Sequence, residues 1–209
     1  MSPTPPDRIG ALILTGGASS RMGTDKACLD WNGARAVDLC AALAAAIGAD
    51  PVVTVGRRSL GYPHVSDETP LAGPVGGIVT GARALIAAGC RRALVLAVDA
   101  PTIRPDDLAA LLAAPDPGAA FADVHLPMLL ELARLPADAA PGWPIRRLVA
   151  VAGLAWLAPR PDQAARLRGA NTPAERDGLL VGCPSPAREE SATRPTCSRP
   201  GRRSAPRFR

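Results

Sequence analysis

The chain has 209 residues, of which 47% are hydrophobic and 21% charged, and this length fits one domain or at most two. Such an apolar share can build a sizeable core, which excludes a wholly disordered protein. No apolar run approaches the ~20 residues that span a bilayer, and residues 1–10 lack the apolar segment of a signal peptide. We therefore expect a cytoplasmic protein that does not contact membranes.

The net charge of +5 is concentrated at the C-terminal end. Residues 183–209 contain seven arginines and two glutamates, whereas residues 1–182 hold 17 basic and 17 acidic residues. A nucleic-acid-binding domain would show a basic face with aromatic stacking platforms, so we expect no nucleic-acid partner. Composition predicts a flexible leader over residues 1–8, one globular domain over residues 9–182 and a disordered tail over residues 183–209.

The cysteines and histidines give no sign of a metal cluster. The five cysteines are odd in number and form no CxxC pair, so neither a zinc site nor a disulfide framework is expected. We expect reduced thiols, with Cys40 and Cys90 in the core. His64 and His125 share no metal-binding spacing and are expected to be structural or surface residues.

In chain order, short apolar runs alternate with helical patterns. Strands are predicted over 9–15, 51–56 and 93–98, and helices over 34–48, 77–88 and 105–113. After residue 115 a weaker pattern predicts strands over 119–124 and 154–157 and helices over 127–134, 144–151 and 173–180. Apolar strands alternating with helices predict an α/β fold, with a mostly parallel sheet covered by helices on both faces.

The first distinctive polar segment follows the first predicted strand. Residues 14–27 read LTGGASSRMGTDKA. The glycines let backbone N–H groups approach a ligand, while Arg21 offers a planar fork for phosphate oxygens and Lys26 a movable charge. A plain glycine-rich turn with two solvated cations is the alternative, but the spacing favours a phosphate-binding loop. In an open α/β sheet, ligands bind at this carboxyl end of the strands.

Two acidic positions complete the candidate site. Asp99 ends the apolar run ALVLAV, where it can either cap the next helix or bind Mg²⁺, an ion that usually takes one or two protein carboxylates. Asp67 opens the Gly/Pro-rich segment DETPLAGPVGG over residues 67–77. It is either a surface acid of an ordinary turn or an acceptor for hydrogen bonds from a guanine edge or a ribose.

Residues 14–27 resemble the signature of the nucleotidyltransferases related to molybdenum cofactor guanylyltransferase, roughly L-x-G-G-x-S-x-R-M-G-x-D-K, at every specified position. Residues 97–101, AVDAP, match the D-x-P at a strand end of that family. Residues 66–78, SDETPLAGPVGGI, resemble its D-x-x-x-x-x-G-P-x-x-G-I loop, and residues 171–173 resemble its N-T-P. The resemblance spans residues 9–181 and implies a Rossmann-like nucleotidyltransferase fold.

By residue, the resemblance implies that Arg21 and Lys26 hold the nucleotide phosphates and that Asp99 binds Mg²⁺, and we take these three as catalytic. Asn171 is assigned to the acceptor side. The remaining nucleotide-binding positions implied by these segments are Leu14, Thr15, Gly16, Gly17, Asp67 and Gly73.

Departures from the family pattern occur at three places in the chain. The family often has Asn-x-Asn-Thr-Pro, whereas Gly169 stands in place of the first Asn here. Residues 56–58, GRR, replace a segment in which relatives often offer an Asn to the nucleotide. Residues 121–130, FADVHLPMLL, replace a stretch that relatives direct towards the acceptor. The nucleotide-binding part of the family pattern is intact, and the part that faces the acceptor is altered.

The implied reaction is transfer of GMP from GTP to the terminal phosphate of molybdopterin, with release of pyrophosphate. GTP and molybdopterin (the molybdenum cofactor) are then the partners, Mg²⁺ is the cofactor, and the protein is expected to be a monomer or a small homo-oligomer. Two alternatives stay open. One is the same chemistry with another nucleotide, such as CTP, or another phosphate acceptor, and the other is a nucleotide-binding module without catalysis.

Overall fold

The computed structural model describes residues 8–16, 25–67 and 73–180. Within these ranges, a seven-stranded sheet has the strand order β5-β4-β1-β6-β8-β7-β9, and β2 and β3 form a separate two-residue hairpin. In chain order the strands are β1 (Ile9–Leu14), β2 (Asp30–Trp31), β3 (Ala34–Arg35), β4 (Val52–Gly56), β5 (His64–Ser66), β6 (Arg92–Ala97), β7 (Gly118–Phe121), β8 (Met128–Glu131) and β9 (Ala155–Leu157).

The pairing of these strands makes the sheet mostly parallel. β1 pairs in parallel with both β4 and β6, whereas β8 runs antiparallel to both of its neighbours, β6 and β7. From β1 the chain moves outward through β4 and β5, then crosses back to place β6 on the other side of β1. This reversal of strand order creates a crevice at the carboxyl ends of β1 and β6, where α/β proteins bind ligands.

Helices cover both faces of the sheet. They are α1 (Ala36–Ala46), α2 (Gly73–Ala87), α3 (Ala109–Leu112), α4 (Ile145–Ala152), α5 (Pro161–Arg168) and α6 (Pro173–Leu180). Short 3-10 turns lie at Lys26–Cys28, Pro105–Leu108 and Leu132–Arg134. The described helices include none that is both long and apolar enough to cross a membrane.

Two apolar cores lie on opposite sides of the sheet because side chains of a strand alternate between its faces. Ala11 and Ile13 of β1 pack into the core that includes α1, whereas Leu12 and Leu14 pack into the core that includes α2 and α4. The α/β fold with helices on both faces is therefore confirmed.

Two glycines bring α2 unusually close to the sheet. A Cβ at Gly81 would lie 2.8 Å from side-chain carbons of Leu12 and Val55, and one at Gly77 would lie 3.3 Å from Leu14. Only hydrogen atoms fit at such an approach. This packing sets the first turns of α2 beside the carboxyl ends of β1 and β4.

The helix predicted over residues 127–134 is wrong. Residues Met128–Glu131 form strand β8, which is followed by the 3-10 turn Leu132–Arg134. A short apolar run fits either a buried helix or a buried strand, and here pairing with β6 and β7 on both sides decides for the strand. The helix predicted over 34–48 begins at Ala36, after the short strand β3. The sequence patterns also missed β5 and α5.

Cys40 and Cys90 are buried free thiols, as expected, and burial raises the pKa of Cys40 to about 12, with a further contribution from the charge of Asp99. Cys28 is disulfide-bonded. The expectation of reduced thiols is wrong for this residue, because pairing between distant positions leaves no local spacing pattern. The leader over 1–8, apart from its last residue, and the tail over 183–209 lie outside the described residues.

Candidate functional site

The carboxyl ends of β1 and β6 bring two of the predicted segments together. Thr15 and Gly16 follow β1 directly, and Asp99 lies two residues beyond β6. Because these strands are neighbours, their ends stay joined past the sheet, where the Val98 N–H donates to the carbonyl of Leu14 over 3.3 Å. Asp99 therefore lines the same pocket as Thr15 and Gly16.

A pocket of about 380 Å³ opens at this edge of the sheet. The predicted site residues that line it are Leu14, Thr15, Gly16, Lys26, Asp67, Gly73 and Asp99. Asn171 is not part of its wall but contacts Lys26. Gly17 and Arg21 lie outside the described residues.

One side of the pocket is built from three closely packed backbone segments. The Thr15 N–H and hydroxyl both donate to the Val55 carbonyl, over 2.9 and 3.0 Å. A Cβ at Gly56 would lie 2.2 Å from the Thr15 hydroxyl oxygen, so a side chain cannot stand there without moving Thr15. The Asp67 N–H donates to the Gly56 carbonyl over 2.9 Å. This bond places Asp67 at the pocket beside Gly16.

Lys26 occupies the first position of a capped turn. The Asp25 carboxylate accepts a hydrogen bond from the Ala27 N–H over 3.0 Å, which fixes the start of the 3-10 turn. The Lys26 ammonium donates to the side-chain oxygen of Asn171 over 2.8 Å. Residues 145 positions apart are thus joined at the pocket, and Asn171 orients the ammonium group.

Asn171 is itself positioned by the start of α6. The Glu175 N–H donates to the Thr172 hydroxyl over 3.2 Å, while the Glu175 carboxylate accepts from the N–H groups of Thr172 and Asn171 over 2.9 and 2.7 Å. This reciprocal arrangement is a capping box, with Pro173 at the first helical position. The pKa of Glu175 is lowered, chiefly by the Asn171 N–H. Hence residues 171–173 form a rigid support for Lys26.

Gly169, two residues before Asn171, explains a departure from the family pattern. Gly169 has φ of +68°, and a Cβ there would lie 2.2 Å from the Asp99 carbonyl oxygen. The next residue, Ala170, donates its N–H to that same oxygen over 2.8 Å. An asparagine at position 169 therefore does not fit this backbone, because its Cβ would overlap the strand end that carries Asp99.

Asp99 lies in a poorly solvated position. Burial raises the pKa of its carboxyl, and the positive charge of Lys26 offsets part of that rise. The backbone N–H of Asp99 also lowers this pKa, by less than the charge of Lys26 does. A largely buried carboxylate that keeps a raised pKa despite these two groups suits a bound cation.

The donor set fits magnesium better than a transition metal. In the described part of the chain, no three His, Cys, Asp or Glu side chains cluster as they would to hold a metal by themselves. Mg²⁺ commonly takes one or two protein carboxylates and completes its six ligands with water and phosphate oxygens. Asp99 and the pocket beside it fit that pattern.

The other side of the pocket was only partly anticipated from the sequence. Its residues come from separate segments between β6 and the end of α5. Three of them belong to residues 121–130, the stretch that relatives direct towards the acceptor, but none was named as a site residue. The residues of this side are Ile103, Val124, Leu126, Pro127, Ile145, Leu167 and Arg168. This wall is apolar apart from Arg168. Neither His64 nor His125 is among the residues that line it.

A buried ion pair, which the sequence analysis also missed, holds α5 against the 3-10 turn Pro105–Leu108. Asp107 is 1% exposed and receives two hydrogen bonds from Arg166, over 2.6 and 2.8 Å, and one from the Arg104 N–H. Burial raises the pKa of Asp107, but these hydrogen bonds outweigh it and the pKa is lowered overall. The two partners lie 59 residues apart, so no local pattern could have revealed the pair.

Comparison with known proteins gives a consistent family assignment. Residues 11–141 match the MobA-like NTP transferase domain. The molybdenum cofactor guanylyltransferase of Xanthomonas euvesicatoria is 38% identical over 122 residues, which cover 58% of this chain and 63% of that protein. The chain thus spans less than two thirds of that relative. A probable molybdenum cofactor guanylyltransferase of Chloroflexus aggregans is 32% identical over 176 residues, 74% of this chain and 81% of that protein.

Solved structures support the fold. A nucleotidyl transferase from Methanothermobacter superposes with a TM-score of 0.62 at 19% identity, covering 84% of this chain and 99% of its own. The sheet is thus that of the Rossmann-like nucleotidyltransferases. The matched domain includes most of β1 and the strand end that carries Asp99. The fold, the domain match and the motifs at the pocket all agree that the chain belongs to the MobA-like NTP transferase family.

Proposed function

We propose that the protein is a nucleotidyltransferase that moves GMP from GTP onto molybdopterin and releases pyrophosphate. The observation that carries this proposal is the convergence of Lys26, Asp67 and Asp99 on one pocket at the joined ends of β1 and β6. The names of the relatives support GTP and molybdopterin as the substrates.

The nucleotide occupies the side of the pocket formed by β1, β4 and the start of α2. Leu14, Thr15, Gly16 and Gly73 provide backbone surface that a nucleotide can approach closely, and Asp67 accepts hydrogen bonds from the guanine nucleotide. Lys26 binds the phosphates. We assign Gly17 to nucleotide binding and Arg21 to the phosphates on the strength of the family resemblance alone, because both lie outside the described residues.

The reaction is an in-line displacement at the α-phosphorus of GTP. A terminal phosphate oxygen of molybdopterin forms the new P–O bond, while the bond between the α-phosphorus and the bridging oxygen breaks and pyrophosphate leaves with its electron pair. A phosphate monoester has a second pKa of roughly 6 and is largely ionised at neutral pH. The protein therefore needs no strong general base.

What the protein must do is bring two anionic substrates together and stabilise the transition state. Lys26 offers a positive charge held in place by Asn171. Magnesium bound at Asp99 would neutralise phosphate charge and help align the reacting groups. Asn171 lies at the edge of the pocket, where we assign it to the acceptor side through its contact with Lys26.

Nucleotide selectivity tests the proposal. Pyrophosphate release is measured with Mg²⁺ and each of the four NTPs, with and without molybdenum-loaded molybdopterin, and Asp99→Ala serves as the control. We expect release with GTP alone among the nucleotides, and only when molybdopterin is present. Selective release with CTP would keep the mechanism and change the product. Nucleotide binding without any release would reveal a binding module.

A further inference from the structure

The pocket is lined from both sides of the β1–β6 junction. One wall is formed by β1, β4 and the start of α2, and includes Asp67. The opposite wall is formed after β6 and is lined by apolar side chains such as Val124, Leu126 and Ile145. Arg168, at the end of α5, is the charged residue of this second wall. Such a surface suits a ligand with an apolar body and one anionic group.

Arg168 differs in its ion pairing from the two arginines that precede it, Arg160 and Arg166. Arg160 and Arg166 lie within ion-pair distance of Asp107 and Asp162. Arg168 is exposed, lines the pocket and has no carboxylate partner among the residues that the structure describes. Its guanidinium is therefore available to an anionic ligand, and a planar fork matches phosphate oxygens well.

The backbone of Arg168 is held in place by the contacts of the residues on both sides of it. On one side, Leu167 is buried and Arg166 is anchored to Asp107. On the other side, Gly169 packs against the Asp99 carbonyl and Ala170 donates to it. Since both neighbours are fixed, the Arg168 side chain starts from a rigid point beside the strand end that carries Asp99.

We infer that Arg168 binds the phosphate of the acceptor and sets it in line with the nucleotide, an inference that rests on the proposed function. The guanidinium approaches from the wall opposite the nucleotide, so it can hold the attacking phosphate while Lys26 holds the phosphates of GTP. The first Asn of the family motif cannot stand at position 169 in this backbone. Arg168, one residue earlier, supplies a polar contact on the acceptor side instead.

The test compares Arg168→Gln and Arg168→Lys with the wild type. Steady-state pyrophosphate release gives the KM for molybdopterin, and calorimetry without the acceptor gives the Kd for GTP. Arg83→Gln is the matched control, because Arg83 is an exposed helical arginine that does not line the pocket. Its parameters should equal those of the wild type.

For Arg168→Gln, we expect the KM for molybdopterin to rise at least ~10-fold, as fits the loss of a charge-assisted hydrogen bond, with the Kd for GTP unchanged. Arg168→Lys should recover part of the loss, since it keeps the charge without the fork. An unchanged KM for molybdopterin in an active enzyme, or a weakened Kd for GTP instead, would overturn the role of Arg168 alone. A wild type that is inactive with molybdopterin would overturn the proposed function and this inference with it.

Discussion

Lys26 is the single lysine of a chain that contains 23 arginines. Every other basic side chain is a planar guanidinium, so the compact ammonium at this position is a specific chemical feature. An ammonium on a flexible stem can follow phosphate oxygens as they move during the reaction, which a rigid fork does less well. The hydrogen bond to Asn171 sets the direction from which it approaches.

Replacement of this lysine tests its role. We expect Lys26→Ala to lose more than ~10-fold in kcat/KM for pyrophosphate release, equivalent to ~1.4 kcal/mol of transition-state stabilisation, with the melting temperature close to that of the wild type. The kcat/KM of Lys26→Arg should lie between those of Lys26→Ala and the wild type. If kcat/KM of Lys26→Ala stays at the wild-type value, Lys26 does not bind the phosphates.

Asp99 combines an unfavourable position in the fold with the proposed metal-binding role. Because burial raises its pKa, the folded state disfavours the ionised carboxylate. We expect Asp99→Asn and Asp99→Ala to abolish turnover, and the isosteric Asn variant to melt at the same temperature as the wild type or higher. Turnover assays and thermal denaturation near pH 7 check both expectations. Wild-type activity in either variant would contradict the assignment of Asp99 to the metal. A clear fall in the melting temperature of Asp99→Asn would contradict the inference that burial of the ionised carboxylate destabilises the folded state.

At the scale of elements, α2 depends on a glycine at its contact with the sheet. Gly81 faces Leu12 and Val55 at distances that leave no room for a methyl group, whereas nothing lies within 4 Å of a Cβ at Gly178 in α6. We expect Gly81→Ala to destabilise the protein by ~1–3 kcal/mol through overpacking. Gly178→Ala should be neutral or stabilising by up to ~1 kcal/mol, since alanine favours helix. Urea denaturation of both variants measures these effects, and equal stabilities would contradict the close packing of α2.

The second element-scale prediction concerns the buried pair of Asp107 and Arg166. We expect Arg166→Met to lose up to ~3 kcal/mol, because the buried carboxylate then keeps only the longer contact with Arg160, at 3.7 Å, and the Arg104 N–H. Arg176→Met removes an exposed pair with Asp177 and should change stability by less than ~1 kcal/mol. Chemical denaturation at pH 7 distinguishes the two, and similar losses in both variants would show that burial of the pair is unimportant.

The same pair predicts a pH dependence. The folded-state pKa of Asp107 is lowered, so its stabilising effect is present above the unfolded-state pKa of about 3.9. That effect is lost as the pH falls through the folded-state pKa. The stability difference between wild type and Arg166→Met should therefore shrink below about pH 4. A difference that stays constant across this range would exclude ionised Asp107 as its source.

How much of this could be predicted from the sequence depends on whether a feature is local. The glycine-rich segment and Asp99 were singled out because each follows a predicted strand, and Asp67 because it opens a Gly/Pro-rich segment. β8 was predicted as a helix because a short apolar run fits both structures, and only its neighbours in the sheet decide. Arg168 and the Asp107–Arg166 pair escaped because their partners are distant in sequence and meet only through the fold.

At the scale of the whole molecule, the two sides of the pocket meet at one strand end. The Asp99 backbone joins β6 to the segment that carries Arg168, Gly169 and Asn171, and Lys26 closes the same connection from the β1 side. In the proposed reaction, this arrangement brings the two substrates together around one residue.

The most direct test of the central claim follows each phosphorus atom of GTP. Wild-type protein is incubated with Mg²⁺, molybdenum-loaded molybdopterin and GTP that carries radioactive phosphorus at either the α or the γ position. Nucleotidyl transfer predicts that the α-label moves to molybdopterin and that the γ-label leaves as pyrophosphate. Transfer of the γ-label to molybdopterin, or retention of the α-label in free nucleotide, would contradict it.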